Sequence, residues 1–193
     1  MFNSNRSFDN QAVTHSTVHG LVVLSVSVGG EMFAIDVRSV REIHAWVRPS
    51  SLPGAPHYLQ GMLNFCGEVV PLVLLARRLG LAETGSTAPV TVMIEREADT
   101  IGLVVDAVCD LHSIAADQLS VTPAVGAAGS ARLLKGVITL DDSLMCLLDV
   151  EEMLPANAIP EAALLAAGDP DYLSRDPSPT GPISSEAHHD RRL

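Results

Sequence analysis

The chain has 193 residues, 47% of them hydrophobic and 18% charged, with a formal net charge of −11. That length and apolar content suffice for one sizeable core or two small ones. Nucleic-acid binding is disfavoured, because phosphate neutralisation supplies most of that affinity and only Arg77-Arg78 and Arg132 with Lys135 approach a basic cluster.

In chain order, residues 1–17 are polar, with Asn, Ser, Thr and His and no apolar core. They read as a flexible segment rather than a signal peptide. Residues 22–28 (VVLSVSV) alternate apolar and small polar side chains at period two, the signature of a half-buried strand. Residues 33–43 (FAIDVRSVREI) continue as strand. A connector over 44–60 carries Trp46, the only Trp, and His57 and Tyr58 follow Pro56 as turn and packing residues. Trp46 suits either a contact surface or packing over a barrel end. Residues 61–79 then give an apolar run, a tip at Cys66-Gly67-Glu68 and a second apolar run, which together read as a β-hairpin. A short helix closes the unit. Leu74 cannot cap it, but Arg77, Arg78 and Gly80 make a good C-terminal stop.

The same order then returns. Residues 90–95 match 22–28 in pattern, 101–111 match 33–43, and 136–154 (GVITLDDSLMCLLDVEEML) match 61–79 without gaps. Gly61 meets Gly136, Leu63 meets Ile138, Phe65 meets Leu140, Val69 meets Leu144, Leu72 meets Leu147 and Leu79 meets Leu154. The second copy also closes with a helix, where Asp149 and Glu152 resemble a capping box. Residues 112–135 are longer than their counterpart 44–60 and include Gly126-Ala127-Ala128-Gly129-Ser130, a flexible surface loop. From residue 155 the chain turns Pro- and Ser-rich, and 155–193 read as a disordered acidic tail in which residues 162–167 suit a brief helix. His188-His189 on that tail carry no metal-site pattern.

One unit built twice, with about five short strands in each copy, predicts an all-β, mainly antiparallel protein with short helices. The expected arrangement is two small barrels packed together over 18–154. The first covers about residues 18–80 and the second about 88–154, with exchange of strands or a helix between them left open. A single large β-sandwich is the alternative.

No phosphate-cradling glycine loop, zinc-protease helix or nucleophile elbow is present, so neither an enzyme nor a cofactor is expected. Asp36 and Asp106 fall near corresponding strand ends, which points to structural roles. Glu42 and Asp110 are repeat mates suited to a charge contact. Cys66, Cys109 and Cys146 lack metal-ligand spacing and read as free thiols in a reducing cytoplasm. Cys66 at a hairpin tip raises a redox-sensitive module, although no basic residue beside it in sequence lowers its pKa. The longest apolar stretch, residues 69–76, is far below the ~20 needed to span a bilayer, so direct membrane insertion is not expected. Such a chain works by binding other proteins.

The order of motifs resembles the CheW-like family of chemotaxis coupling proteins over about residues 18–154. Phe33-Ala34-Ile35-Asp36-Val37 with Val40-Arg41-Glu42-Ile43 is similar to the family's apolar strand followed by V-x-E-I. Leu52-Pro53-Gly54-Ala55-Pro56-His57-Tyr58-Leu59-Gln60-Gly61 resembles its LPxAPxYLxG connector, and residues 61–72 resemble its GxxNLRGxVxP hairpin. Residues 101–108 and 147–154 match later signatures. The resemblance implies two SH3-like five-stranded barrels and a non-enzymatic scaffold adaptor, without metal or cofactor. The implied partners are a methyl-accepting chemoreceptor cytoplasmic tip and the regulatory domain of a CheA-like histidine kinase. By motif position, receptor contact falls on Val37, Val40, Glu42 and Ile101. Receptor and kinase coupling falls on the hairpin Asn64, Phe65, Cys66 and Gly67. Cys66 stands where the family has Arg, Phe65 where it has Leu, and Leu74 where it has Asp. The loss of that guanidinium leaves open an adaptor of a divergent array, or a protein that binds receptors without activating the kinase. The regulatory part of a histidine kinase is disfavoured, because no ATP-site motif is present and the residues after Leu154 are too few for a receiver domain.

Overall fold

The structure, a computed structural model, describes residues 20–96, 99–121, 130–140, 143–155 and 157–159. The N-terminal segment, the glycine-rich loop at 126–129, the second hairpin tip Asp141-Asp142 and the tail beyond Ile159, with residues 162–167 and His188-His189, lie outside these residues. The first half supplies β1 (Leu21–Val28), β2 (Glu31–Asp36), β3 (Val40–Ala45), β4 (Leu59–Phe65), β5 (Glu68–Leu74) and helix α1 (Leu75–Leu79). The second supplies β6 (Val90–Glu95), β7 (Thr100–Val105), β8 (Ala107–Ile114), β9 (Leu119–Val121), β10 (Leu134–Leu140) and β11 (Ser143–Leu148). Among the described residues, no helix is long and apolar enough to cross a membrane.

These strands form the two small SH3-like barrels, but the barrels do not follow one another along the chain. One sheet has the order β8-β1-β2-β11-β10-β9 and the other β3-β6-β7-β5-β4. Residues 80–88 are therefore no boundary between barrels, and the exchange that the sequence left open is what occurs. The β1–β2 hairpin of the first half sits between β8 and β11 of the second, and its repeat mate, β6–β7, sits between β3 and β5 of the first. The registers coincide as well. Val26 lies opposite Val108 and Leu24 opposite Leu111, just as Ile94 lies opposite Val40 and Val92 opposite Ile43. A β-bulge interrupts both ladders at the same place. Each sheet has one parallel pair, β11 with β2 and β5 with β7, and both belong to the exchanged hairpins.

The reason lies in the faces of those hairpins. On β1, Val23 packs with one group of side chains while Leu24, Val26 and Val28 pack with another; on β6 and β7, Met93 and Val104 separate in the same way from Val92, Ile94, Ile101, Leu103 and Val105. A strand apolar on both faces needs cover on both. The exchange provides it: the largest cluster draws on both sheets, and each of two smaller clusters belongs to one sheet alone.

The glycine that opens each repeat copy allows each barrel to close. In the five-stranded barrel, Ser50 and Met62 exchange two backbone hydrogen bonds of 2.9 Å. In the six-stranded one, the same contact has grown into β9, which pairs Ser120 with Val137. A Cβ on Gly61, whose φ is +148°, would clash with the Ser50 carbonyl oxygen, and one on Gly136 would stand 2.7 Å from the Ser120 carbonyl oxygen. Close crossing of another backbone thus explains both glycines.

The ends of the copies differ from expectation. Only the first is an α-helix, stopped as expected by Gly80 at φ +75°. The second is a 3-10 turn over Val150–Met153. Asp149 caps it through Oδ1, which accepts from the Glu151 amide at 3.2 Å; the expected pairing with Glu152 is absent. Its carbonyls are held by two arginines, Arg78 of α1 and Arg96 just after β6. Arg78 donates to Met153 at 2.8 Å and to Glu152 at 2.7 Å, and Arg96 donates to Glu151 at 3.1 Å and Leu154 at 2.8 Å. The described fold also runs past residue 154, because Ala158 is buried and Ile159 packs on the central cluster.

Gly61→Ala should lower the unfolding free energy by more than about 3 kcal/mol, among the larger single-residue effects. Gly30→Ala, also at positive φ but with open space around it, should cost only about 1 kcal/mol. Chemical denaturation compares the two, and equal losses would contradict the close crossing at Ser50.

Candidate functional site

The edges of the five-stranded sheet, β3 and β4, meet through side chains. Trp46 Nε1 donates to Gln60 Oε1 at 3.1 Å. The His44 and Phe65 rings meet edge-on with centroids 4.7 Å apart. Arg41 reaches from β3 to the start of β5, where its Nη1 donates to Glu68 Oε2 at 3.0 Å and to Thr100 Oγ1 of β7 at 3.2 Å. Hydrogen bonding from the Thr100 hydroxyl and the Arg41 guanidinium holds the Glu68 carboxyl below its ordinary range. Exposed ion pairs add little stability singly. Here the pair fixes where the hairpin tip lies against β3.

That seam brings together most of the residues singled out from sequence. Val40 is half-buried and packs on the central cluster, and Val37 is half-buried in the 3-10 turn Val37–Ser39 just before it. Asp36 caps this turn and takes the Arg38 guanidinium at 2.6 Å, which pulls the Asp36 carboxyl below its usual range. Glu42 Oε2 lies 2.9 Å from His44 Nε2, close enough to pair but not aligned as a hydrogen bond, and Glu42 Oε1 is 3.8 Å from Arg41. Beside them is the hairpin tip. Asn64 is exposed and its Oδ1 accepts from the Gly67 amide at 3.0 Å. Cys66 and Gly67 have φ of +51° and +86°. Two central residues at positive φ make the type I′ turn that matches strand twist, so the turn itself imposes the unusual backbone at Cys66.

Ile101 is a correction. It is 0% exposed, within the cluster that Val40 packs against, and offers no surface to a partner. Its motif position lies on β7, a strand of an exchanged hairpin, and every residue of that strand is buried. Trp46 is likewise a packing residue, set against Val70, Leu72 and Met93. Asp106 serves structure, accepting the Gly29 amide at 2.8 Å, and Asp110 meets Ser25 at the β-bulge through its backbone amide and carbonyl.

Sequence reasoning missed Arg41, His44, Glu68 and Thr100. Arg41 and Glu68 are 27 residues apart, and no local pattern pairs them. On β3, Arg41, Ile43 and Ala45 alternate outward, and Val47 follows; Ile43 is 44% and Val47 53% exposed. Among the described residues no group of His, Cys, Asp and Glu is placed to hold a metal ion. Cys66 and Cys109 are exposed, and burial raises the pKa of the Cys146 thiol. The seam therefore offers apolar side chains ringed by charges, which suits a protein contact.

The CheW-like domain family model matches residues 22–158. A probable chemotaxis protein CheW of Rhizobium etli is 29% identical over 132 residues, 68% of this chain and 85% of the relative. The chemotaxis protein CheW of Rhizobium meliloti is 28% identical over 147 residues, 76% of this chain and 95% of the relative. Among solved structures, the scaffolding protein TtCheW from Thermoanaerobacter tengcongensis superposes with a TM-score of 0.66 at 21% identity, covering 72% of this chain and 95% of that one.

The Arg41–Glu68 contact makes a pH prediction. Because the folded-state pKa of Glu68 is lowered, its stabilising contribution is fully present above the unfolded carboxylate range and is lost as pH falls through the lower, folded value. The stability difference between the wild type and Glu68→Gln should therefore hold from neutral pH down to about 5 and vanish only below about 4. Urea titrations across pH 2–7 measure it, and a difference already gone at about pH 5 would contradict the assigned contact.

Proposed function

Because the chain belongs to the CheW-like domain family, we propose that it is a non-enzymatic scaffold adaptor of a bacterial chemosensory array. In this reading it joins the cytoplasmic tips of methyl-accepting chemoreceptors to the regulatory domain of a CheA-like histidine kinase. It works in the cytoplasm and reaches the membrane only through its partners. The observation that carries the reading is the seam, where Val40 and Glu42 stand beside the hairpin Asn64 to Gly67 with Val37 next to them. A specific interface buries ~800 Å² on each partner, so this surface and a second one can be engaged together. Val37, Val40 and Glu42 are the proposed receptor contacts, and Ile101 supports Val40 from beneath. The hairpin tip is the proposed coupling element.

Cys66 favours a second reading. At the tip it replaces a side chain with five donors and a full charge by a small thiol. Such a protein binds receptors without activating the kinase. The exposure of Cys66 also keeps a redox-sensitive contact in view.

Reconstitution of the chain with a receptor tip and a CheA-like kinase from the same organism separates these readings. The adaptor reading expects kinase activity to rise by about tenfold or more, a modest coupling of roughly 1.4 kcal/mol. Receptor binding without activation, with activity gained on Cys66→Arg, selects the second reading. An oxidant effect abolished by Cys66→Ser selects the redox module, and binding to neither partner contradicts both receptor-binding readings. Glu42→Ala should weaken receptor binding about tenfold. Its thermal midpoint should move by no more than ~2 °C, because the ion pairs it loses are partly exposed. A parallel loss of stability would make Glu42 structural.

A further inference from the structure

Two buried side-chain polar atoms among the described residues lack an aligned hydrogen bond, His44 Nε2 on β3 and Thr91 Oγ1 on β6. They belong to residues directly opposite each other in the β3–β6 ladder. Buried polar atoms are ordinarily bonded. Without an aligned bond at Nε2, the His44 ring takes its orientation from what packs on it. That is Phe65 of the hairpin, which meets the ring edge-on with centroids 4.7 Å apart. Nε2 of the same ring lies 2.9 Å from Glu42 Oε2. One imidazole therefore touches both the hairpin tip and the Glu42 carboxylate.

The other barrel serves as an internal comparison. The repeat mates of Glu42, His44 and Phe65 are Asp110, His112 and Leu140. Leu140 brings no ring. His112 Nε2 lies 3.0 Å from Ser25 Oγ, and Asp110 Oδ1 accepts from the Leu111 amide at 2.7 Å. There the histidine and the acid are each held by a group of their own. Phe65 also stands where the family pattern has Leu, so the ring that seats His44 is a departure of this chain.

We propose that Phe65 positions Glu42 through His44, so that the hairpin tip sets how this carboxylate is presented to a partner. The proposal rests on the reading that Glu42 contacts the receptor. Phe65 and His44 are positioning residues; Glu42 is the residue that touches the partner. The edge of Phe65 holds the imidazole in one orientation, and the imidazole fixes the reach of the carboxylate. The charged neighbours of Glu42 act elsewhere: Arg41 lies 3.8 Å from its other oxygen and pairs with Glu68 at the base of the hairpin. The ring contact is what connects the tip itself to Glu42.

Two measurements on the full chain test this, one without a partner and one with it. In the free chain, NMR follows the side-chain carboxyl carbon of Glu42 at neutral pH. Phe65→Leu should shift that signal, and should leave it unmoved where His44→Ala is already present. With a receptor tip, Phe65→Leu should lower affinity about fivefold in the wild-type background and change it little in a Glu42→Ala background. Phe65→Tyr keeps the ring and should retain more affinity than Phe65→Leu. Dispersed backbone amide signals from the central cluster verify that each variant folds. A Glu42 signal indifferent to Phe65→Leu, a shift that persists in His44→Ala, or equal affinity losses with and without Glu42 would overturn the proposal. A chain that binds no receptor contradicts the adaptor reading instead, and the free-chain signal then decides the positioning by itself.

Discussion

Everything in this protein hangs on a reciprocal exchange of hairpins. The β1–β2 and β6–β7 hairpins are apolar on both faces, so neither can lie at the surface of its own half. Each is inserted into the other half, where one face meets the strands of its adopted barrel and the other enters the shared central cluster. Burying one such side chain is worth roughly 1.5–3 kcal/mol, and that cluster includes Leu24, Val26, Phe33, Ile35, Val92, Ile94, Ile101 and Leu103. Arg78 and Arg96 then bind the last carbonyls of the second half to the sheet built mainly from the first. The halves are similar in pattern but are not independent bodies.

Duplication within one chain lets the copies diverge while the frame stays fixed. Gly61 and Gly136 remain glycine because a neighbouring backbone crosses each of them. The seams have no such constraint. One has the Arg41–Glu68–Thr100 contact, which ties the start of β5 to β3; the other has Cys109, Ser143 and Met32 at the corresponding positions, which cannot form it. A single fold thereby carries different side chains at corresponding places in its two barrels.

The sequence revealed the strands, the hairpins and the repeat, because period-two alternation and turn residues are local signals. Gly80 was legible as a helix stop, and Cys66-Gly67 as a turn. The exchange was not legible, since swapped and unswapped barrels require the same alternation and the same turns; only β1 and β6–β7, buried on both faces, hinted at it. Ile101 was misplaced for that reason: its motif position says nothing about depth. Val37, Val40, Glu42 and the hairpin were placed near one another by resemblance alone, while Arg41, the residue that joins them, pairs across a distance no spacing rule encodes. The second helix became a 3-10 turn because Arg78 and Arg96, far away in sequence, satisfy its carbonyls.

The exchange makes one cooperative body out of two barrels, and equilibrium unfolding tests this directly. Trp46, the only tryptophan, reports on the five-stranded barrel, and the backbone amides of β10 report on the six-stranded one. In a urea titration followed by both signals, the two curves should share one midpoint and one slope. Separate midpoints, with one barrel unfolded while the other stays native, would contradict the shared core.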